Sequence, residues 1–294
     1  MSQLFYQHIL RSSHWTDLSK IPSIHRILIL GFPDSGIITQ LADAYPNATI
    51  YAMTQTDHGM DAEIEHRNNI LLFQRQHPHE PLPFPDNYFD YIQEYGFTLE
   101  YTQLQYTKVM MNLRRVLSLH GRLEMIERHW RLDNVDGDER LRVNAPHVHA
   151  INECLTRIGL AVGHIGPRMS QILPCVADSV GLIPLIDEST QLMVPLNGDV
   201  GFSASTSQPC RIIGSYLKQQ YENELWSLKV LAVRLGGLDC HEFARAMQGW
   251  KLEVDQGRNV CKWLILVMEK GTVPTRTQRL KRWNQWLKSL FRRD

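Results

Sequence analysis

The stretch "RILILGFPDSGIITQLADAYPNATIYAM", residues 26–53, constrains the fold more than any other part of the chain. Ile27 to Leu30 are four successive aliphatic residues, the pattern of a strand buried on both faces rather than one with a wet side. The run ends at the turn Gly31-Phe32-Pro33-Asp34-Ser35-Gly36. In "GIITQLADAY", Ile37, Leu41 and Tyr45 recur every four residues and so share one helix face. "ATIYAM" is then a second apolar strand. Two buried strands joined through a helix make a βαβ unit, because parallel strands require a crossover.

The alternation continues downstream. "NILLFQ" (69–74) and "YFDYIQ" (88–93) read as strands, and "LQYTKVMMNLRRVLSLHG" reads as an amphipathic helix stopped by Gly121 as its C-terminal cap. "RLEMIE" (122–127) follows as a fifth strand. Strands separated by helices predict an α/β protein with a Rossmann-like parallel sheet and helices on both faces. Ligands of such sheets sit over the carboxyl ends of the strands where strand order reverses, so the turn after Leu30 is the first place to look. In the second half, "PHVHAINECLTRIG" and "RMSQILPCVADSVG" read as helices, the latter kinked or broken near Leu173 by Pro174. "TQLMVPL" reads as a strand. Helical patterns at about 208–222, 224–235 and 239–256, the last capped by Asp239, precede "KWLILVME", a strand that returns to close the sheet.

Bulk properties exclude several classes. The 294 residues are 43% hydrophobic and 21% charged, with zero formal net charge, so no nucleic-acid partner is expected. The five cysteines are odd in number and form no CxxC pair, which argues against a zinc site or a disulfide framework. The thirteen histidines are scattered, and no metal is expected. His147 and His149 lie two apart, on different faces of a helix. The N-terminal residues lack a signal-peptide pattern and "WLILVM" is too short to span a bilayer, so an intracellular, cytoplasmic protein is expected, with the nucleus left open.

"PLPFPDNYFDYI" (81–92), followed by "LRRVLSLHGRLEMIE" (113–127), resembles the class I S-adenosylmethionine-dependent methyltransferases, which carry an LPFPDNSFD segment and then RVLKPGGxLxxxE. "QLMVPLNGDVG" and "WLILVMEKG" are similar to the C-terminal part of fungal members, so the resemblance covers about residues 20 to 272. It implies a Rossmann-like methyltransferase sheet with a helical insertion, at about 204–256, before the last strand. It also implies S-adenosylmethionine as cofactor and a small-molecule acceptor as partner. The family's E/D-x-G-x-G-x-G turn falls on Ile29, Gly31, Pro33 and Ser35, where only Gly31 matches. Its ribose-binding acid at the end of the second strand falls on Thr54, with Gln55 beside it. Its adenine-side Asp falls on Pro78, with Glu80 two residues on.

By this resemblance Gly31, Phe32, Pro33, Asp34, Ser35, Thr54, Gln55, Glu80 and Glu94 are the candidate cofactor-binding residues. Several have plain structural alternatives: Gly31 as a turn glycine, Asp34 as a helix cap, Thr54 as a rim residue. Glu94, Tyr95 and Glu127 follow strands four and five, where this fold places substrate. Glu94, Glu127 and His149 are candidate proton acceptors, against the alternative that they are rim groups.

Residues 1–24 form an N-terminal segment and 25–272 a methyltransferase-like domain. Residues 273–294 read as a basic amphipathic helix with an apolar stripe of Leu280, Trp283, Leu287, Leu290 and Phe291. That helix either packs on the protein itself or docks on a membrane surface or a protein. The functional expectation is a small-molecule or natural-product methyltransferase with weakened cofactor binding. The alternative is a catalytically inactive, methyltransferase-like binding or regulatory protein. An NAD oxidoreductase is disfavoured because GxGxxG is absent.

Overall fold

In the computed structural model, residues 23–31, 35–54, 64, 67–74, 80–95, 101–134, 143–163, 169–185, 189–196, 208–256, 259–271, 277 and 281 are described. They form β1 (Arg26–Leu30), α1 (Ser35–Ala44), β2 (Thr49–Thr54), β3 (Ile70–Gln74), β4 (Phe89–Tyr95), α2 (Gln103–Val116) and β5 (Leu117–Asn134). Then come α3 (Pro146–Val162), α4 (Met169–Val180), β6 (Leu182–Pro184), β7 (Thr190–Pro195), α5 (Gln208–Ser227), α6 (Lys229–Arg234), α7 (Cys240–Gln256) and β8 (Asn259–Lys270). The described elements fall into two compact units. One holds β1 to β4, α1, α2, β5 as far as Glu127, α4, β6 and β8 from Leu264. The other holds β5 from Arg128, α3, β7 from Gln191, α5, α6, α7 and β8 up to Trp263.

The sheet order is β3-β2-β1-β4-β5-β8-β6, with β7 paired to β8 off that path. β1 pairs in parallel with both β2 and β4, β2 with β3, and β4 with β5. β6 runs antiparallel to β8. The first five strands thus follow the doubly wound order, whose direction of winding reverses between β1 and β4. Ile27 to Leu30 are buried, as a two-sided core strand requires. On α1 the described buried residues are Ile38, Leu41 and Ala42, Leu41 being one of the expected face, and the helix ends before Tyr45.

The helix expected to reach Gly121 stops at Val116, and Leu117 is already extended. β4 captures it: Phe89 pairs with Leu117 and Tyr91 with Arg122, so the β5 side carries a bulge between the two pairs. Gly121 lies in that bulge, where a Cβ would come within 2.9 Å of the Asp90 carbonyl oxygen. Its glycine serves a close backbone approach rather than a helix cap. At the other end of α2, Thr102 and Gln105 form a capping box. α4 runs through Pro174 as one helix, without the break expected near Leu173.

The segment "PLPFPDN" is a packed corner. Arg115 donates to the carbonyls of Leu82 (2.7 Å) and Phe84 (2.7 Å) and to Asp86 (3.0 Å). Phe84 sits against Tyr51, Phe73, Tyr88 and Phe89 with ring centroids 4.8–5.9 Å apart. Asn87 takes a left-handed conformation (φ 58°) and accepts from the Lys270 ammonium at 2.5 Å.

In the second unit, Glu253 of α7 accepts from the N–H groups of His147 and Val148 (2.9 and 2.8 Å). This satisfies the start of α3, which has no side-chain cap of its own. Asn152 bridges the N–H and carbonyl of Leu132. Asp239 accepts from His241 and Glu242, capping α7 as expected.

Candidate functional site

The reversal between β1 and β4 brings Leu30 opposite Glu94. The next residue, Gly31, has φ +91°, a conformation that carries little penalty only for glycine. A Cβ there would lie 2.5 Å from the Tyr95 carbonyl oxygen, so the β1 turn rests directly on the end of β4. Glycine here is required by the chain's own packing.

Strand alternation places Glu94 on the same face as Ile92, and its pairing with Met125 extends that face to Glu127. Both carboxyl groups are fully buried. α2 contributes Tyr106, whose hydroxyl donates to Glu127 Oε1 at 2.5 Å. Burial, then the negative charge of Glu127 and of Glu94, hold the Tyr106 phenol well above its ordinary range, so it remains a donor. The Tyr101 ring stands edge-on to Tyr106 at 6.1 Å. On the opposite face, Gln93 pairs with Glu124, which accepts from the Tyr91 hydroxyl at 2.5 Å. Two buried carboxyls beside a donor phenol, one at the carboxyl end of β4 and one next to it on β5, form a polar centre in an otherwise apolar core. Burying such groups costs several kcal/mol each unless hydrogen bonds or opposite charge compensate, so they are poor choices for stability alone.

Of the expected site residues, the structure brings together Gly31, Glu94 and Glu127, with Tyr95 beside them. Phe32, Pro33, Asp34 and Gln55 lie outside the described residues. Ser35 opens α1 and Thr54 ends β2, opposite Gln74 of β3; the side chains of Ser35 and Thr54 are likewise outside the description. Glu80, half-buried, opens the packed corner. His149 belongs to α3, in the other unit from Glu94 and Glu127. Ile29, at the motif's acidic position, is fully buried.

Tyr106 was not foreseen. It lies on the apolar stripe Tyr106–Val109–Met110–Leu113 and reads as ordinary core. The only signal in the sequence is that a buried tyrosine must find a partner for its hydroxyl. Among the described residues, no group of three or more His, Cys, Asp or Glu could hold a metal ion. No described helix is long and apolar enough to cross a membrane.

The fold is the Rossmann-like α/β fold found in class I S-adenosylmethionine-dependent methyltransferases, and the strand order defines it. No family model matches the chain, and no curated protein matches it by sequence. Solved structures similar to it include a Haemonchus contortus phosphoethanolamine N-methyltransferase 2 in complex with S-adenosyl-L-methionine. That structure is 14% identical over 90% of this chain and 51% of its own, with a TM-score of 0.47. A geranyl diphosphate methyltransferase in complex with the same cofactor is 10% identical over 86% and 82%, with a TM-score of 0.45. A [4+2]-cyclase, SpnF, is 15% identical over 87% and 79%, with a TM-score of 0.45. Likeness at this level does not extend to activity.

Proposed function

We propose that the protein is an S-adenosylmethionine-dependent methyltransferase acting on a small molecule. One observation carries the reading: the buried Glu94 carboxyl at the β1/β4 reversal, beside Gly31 and next to the Tyr106–Glu127 pair. This is where a doubly wound sheet receives its ligand, and it offers negative charge to a cationic one. The described residues fit the cationic methionine end of S-adenosylmethionine. They offer no carboxylate at the end of β2, where Thr54 stands.

In this reading Glu94 meets a cationic group of the bound cofactor. The cofactor supplies an electrophilic methyl group, so the protein's main task is alignment and exclusion of water. Tyr106, by donating to Oε1, fixes the orientation of the Glu127 carboxyl. Glu127 then serves as the proton acceptor for the acceptor's hydroxyl or amine.

The test is titration calorimetry of the purified chain with S-adenosylmethionine and S-adenosylhomocysteine. Micromolar binding is expected, weakened about tenfold to a hundredfold in Glu94→Gln, the range for losing one charged hydrogen bond. No heat and no thermal shift at millimolar ligand would overturn the enzyme reading. Thr54 in place of a carboxylate favours the second reading, a binding or regulatory protein on a methyltransferase frame, which that outcome would leave standing.

A further inference from the structure

The short helix α6 (Lys229–Arg234) and its flanks expose apolar side chains in an unusual density. Val230 is 61% exposed, Val233 42%, Leu231 37%, Leu235 39% and Trp226, at the end of α5, 39%. Singly exposed aliphatic residues are normal, but five large ones within ten residues make a dense exposed cluster, and such clusters mark interaction surfaces. At 100° per residue Val233, Val230 and Leu231 occupy one arc of roughly 160°. Ala232 alone turns inward, and it is buried. Gly236, which follows, packs against Cys154 of α3, and Gly237 packs against the Arg157 side chain, so this segment is held firmly by its buried side.

The charged residues within the patch segment itself have one sign. Residues 225–238 contain Lys229 and Arg234 and neither Asp nor Glu. The flanking acids are engaged. Glu224 pairs with Arg128, while Asp239 and Glu242 hold the start of α7 through backbone hydrogen bonds. Lys229 lies 6.0 Å from the centre of the Trp226 ring. Arg234 falls within the apolar arc, on a stem long enough to lift its guanidinium to the edge.

We infer that this face is an interfacial anchor that docks the protein on an anionic lipid surface, with Val230, Leu231, Val233 and Trp226 entering the headgroup boundary and Lys229 and Arg234 meeting lipid phosphates. Trp226 and Arg234 would suit a protein interface, where lysine is depleted, but two cations with no acid between residues 225 and 238 complement an anionic lipid surface. Tryptophan and aliphatic residues interleaved with cations are the composition of surface-bound membrane segments. Six helical residues lie in the interface and do not span it. The anchor is independent of whether the chain methylates anything.

Co-sedimentation of the full-length protein with phosphatidylcholine–phosphatidylserine vesicles, against phosphatidylcholine alone, tests it. Binding to the anionic vesicles that weakens with added salt is expected. Val230→Asp/Val233→Asp and Lys229→Glu/Arg234→Glu should each lower partitioning by about tenfold or more while shifting thermal unfolding little, since Val230, Val233 and Arg234 are exposed and Lys229 is half-buried at the surface. Failure of the wild-type chain to sediment, or equal sedimentation of both double variants, would overturn the anchor. So would a concentration-dependent dimer in analytical ultracentrifugation that Val230→Asp/Val233→Asp abolishes, which would give the face to a second copy of the chain.

Discussion

His129 lies on β5 with Nε2 buried and without a hydrogen-bond partner among the described residues. Desolvation, reinforced by the nearby cations of Lys262 and Arg131, lowers its pKa from 6.5 to about 4. The folded state therefore holds this imidazole neutral at a pH where the unfolded chain has already taken up a proton. Its contribution is fully present above pH 6.5 and is lost as pH falls towards the folded value, by at most about 3 kcal/mol. Urea unfolding of the wild type and of His129→Gln, compared at intervals between pH 7 and pH 4, should show the wild type losing ground to the variant as pH falls. Parallel stability profiles would mean that the imidazole is not desolvated as described. The adjacent Lys262–Asp133 ion pair (3.4 Å) is common to both proteins, so the comparison isolates the histidine.

At the scale of elements, the Arg115 side chain ties α2 to the loop before β4, beside backbone bonds from Asn87 and Tyr88 to the carbonyls of Arg115 and Val116. Arg115 holds two carbonyls and a carboxylate of the corner, and its neighbour Arg114 donates to Gly271 at 3.0 Å. Arg115→Met leaves the Leu82 and Phe84 carbonyls without their donor and should cost about 1–3 kcal/mol in thermal or urea unfolding. Arg115→Lys should recover little of this, because an ammonium cannot reproduce the planar fork that spans both carbonyls. Full recovery by lysine would show that charge alone matters there. The corner also explains how much of the fold was legible. The LPFPDN segment carries the resemblance because Phe84 fills an aromatic cluster and Asn87 takes a positive φ. Those are demands of the frame and say nothing about the ligand. Ile27 to Leu30 were legible for a similar reason, since a strand covered on both faces favours an unbroken apolar run. Gly121 was misread because its glycine answers a carbonyl on β4, a tertiary contact that local helix periodicity does not contain.

Across the whole molecule, the candidate site residues that the structure gathers all come from one unit, from the ends of β1, β4 and the first part of β5. Proximity of the first two was implied by the switch-point rule. The Tyr106–Glu127 contact was not, because it joins a helix face to a strand with no spacing to mark it. β5 and β8 each contribute residues to both units, and one cooperative unfolding transition is expected if each strand opens as a whole. S-adenosylhomocysteine at about 100 times its dissociation constant should stabilise the native state by about 2.7 kcal/mol. Read by native-state hydrogen exchange, the slowest amides of β1 and β4 should then exchange about a hundredfold more slowly, and those of α7 by the same factor. In Glu94→Gln the whole gain should shrink at the same ligand concentration. A gain confined to β1 and β4, with α7 unchanged, would show that the units unfold separately despite the two shared strands. A gain in Glu94→Gln as large as in the wild type would remove Glu94 from the ligand's contacts.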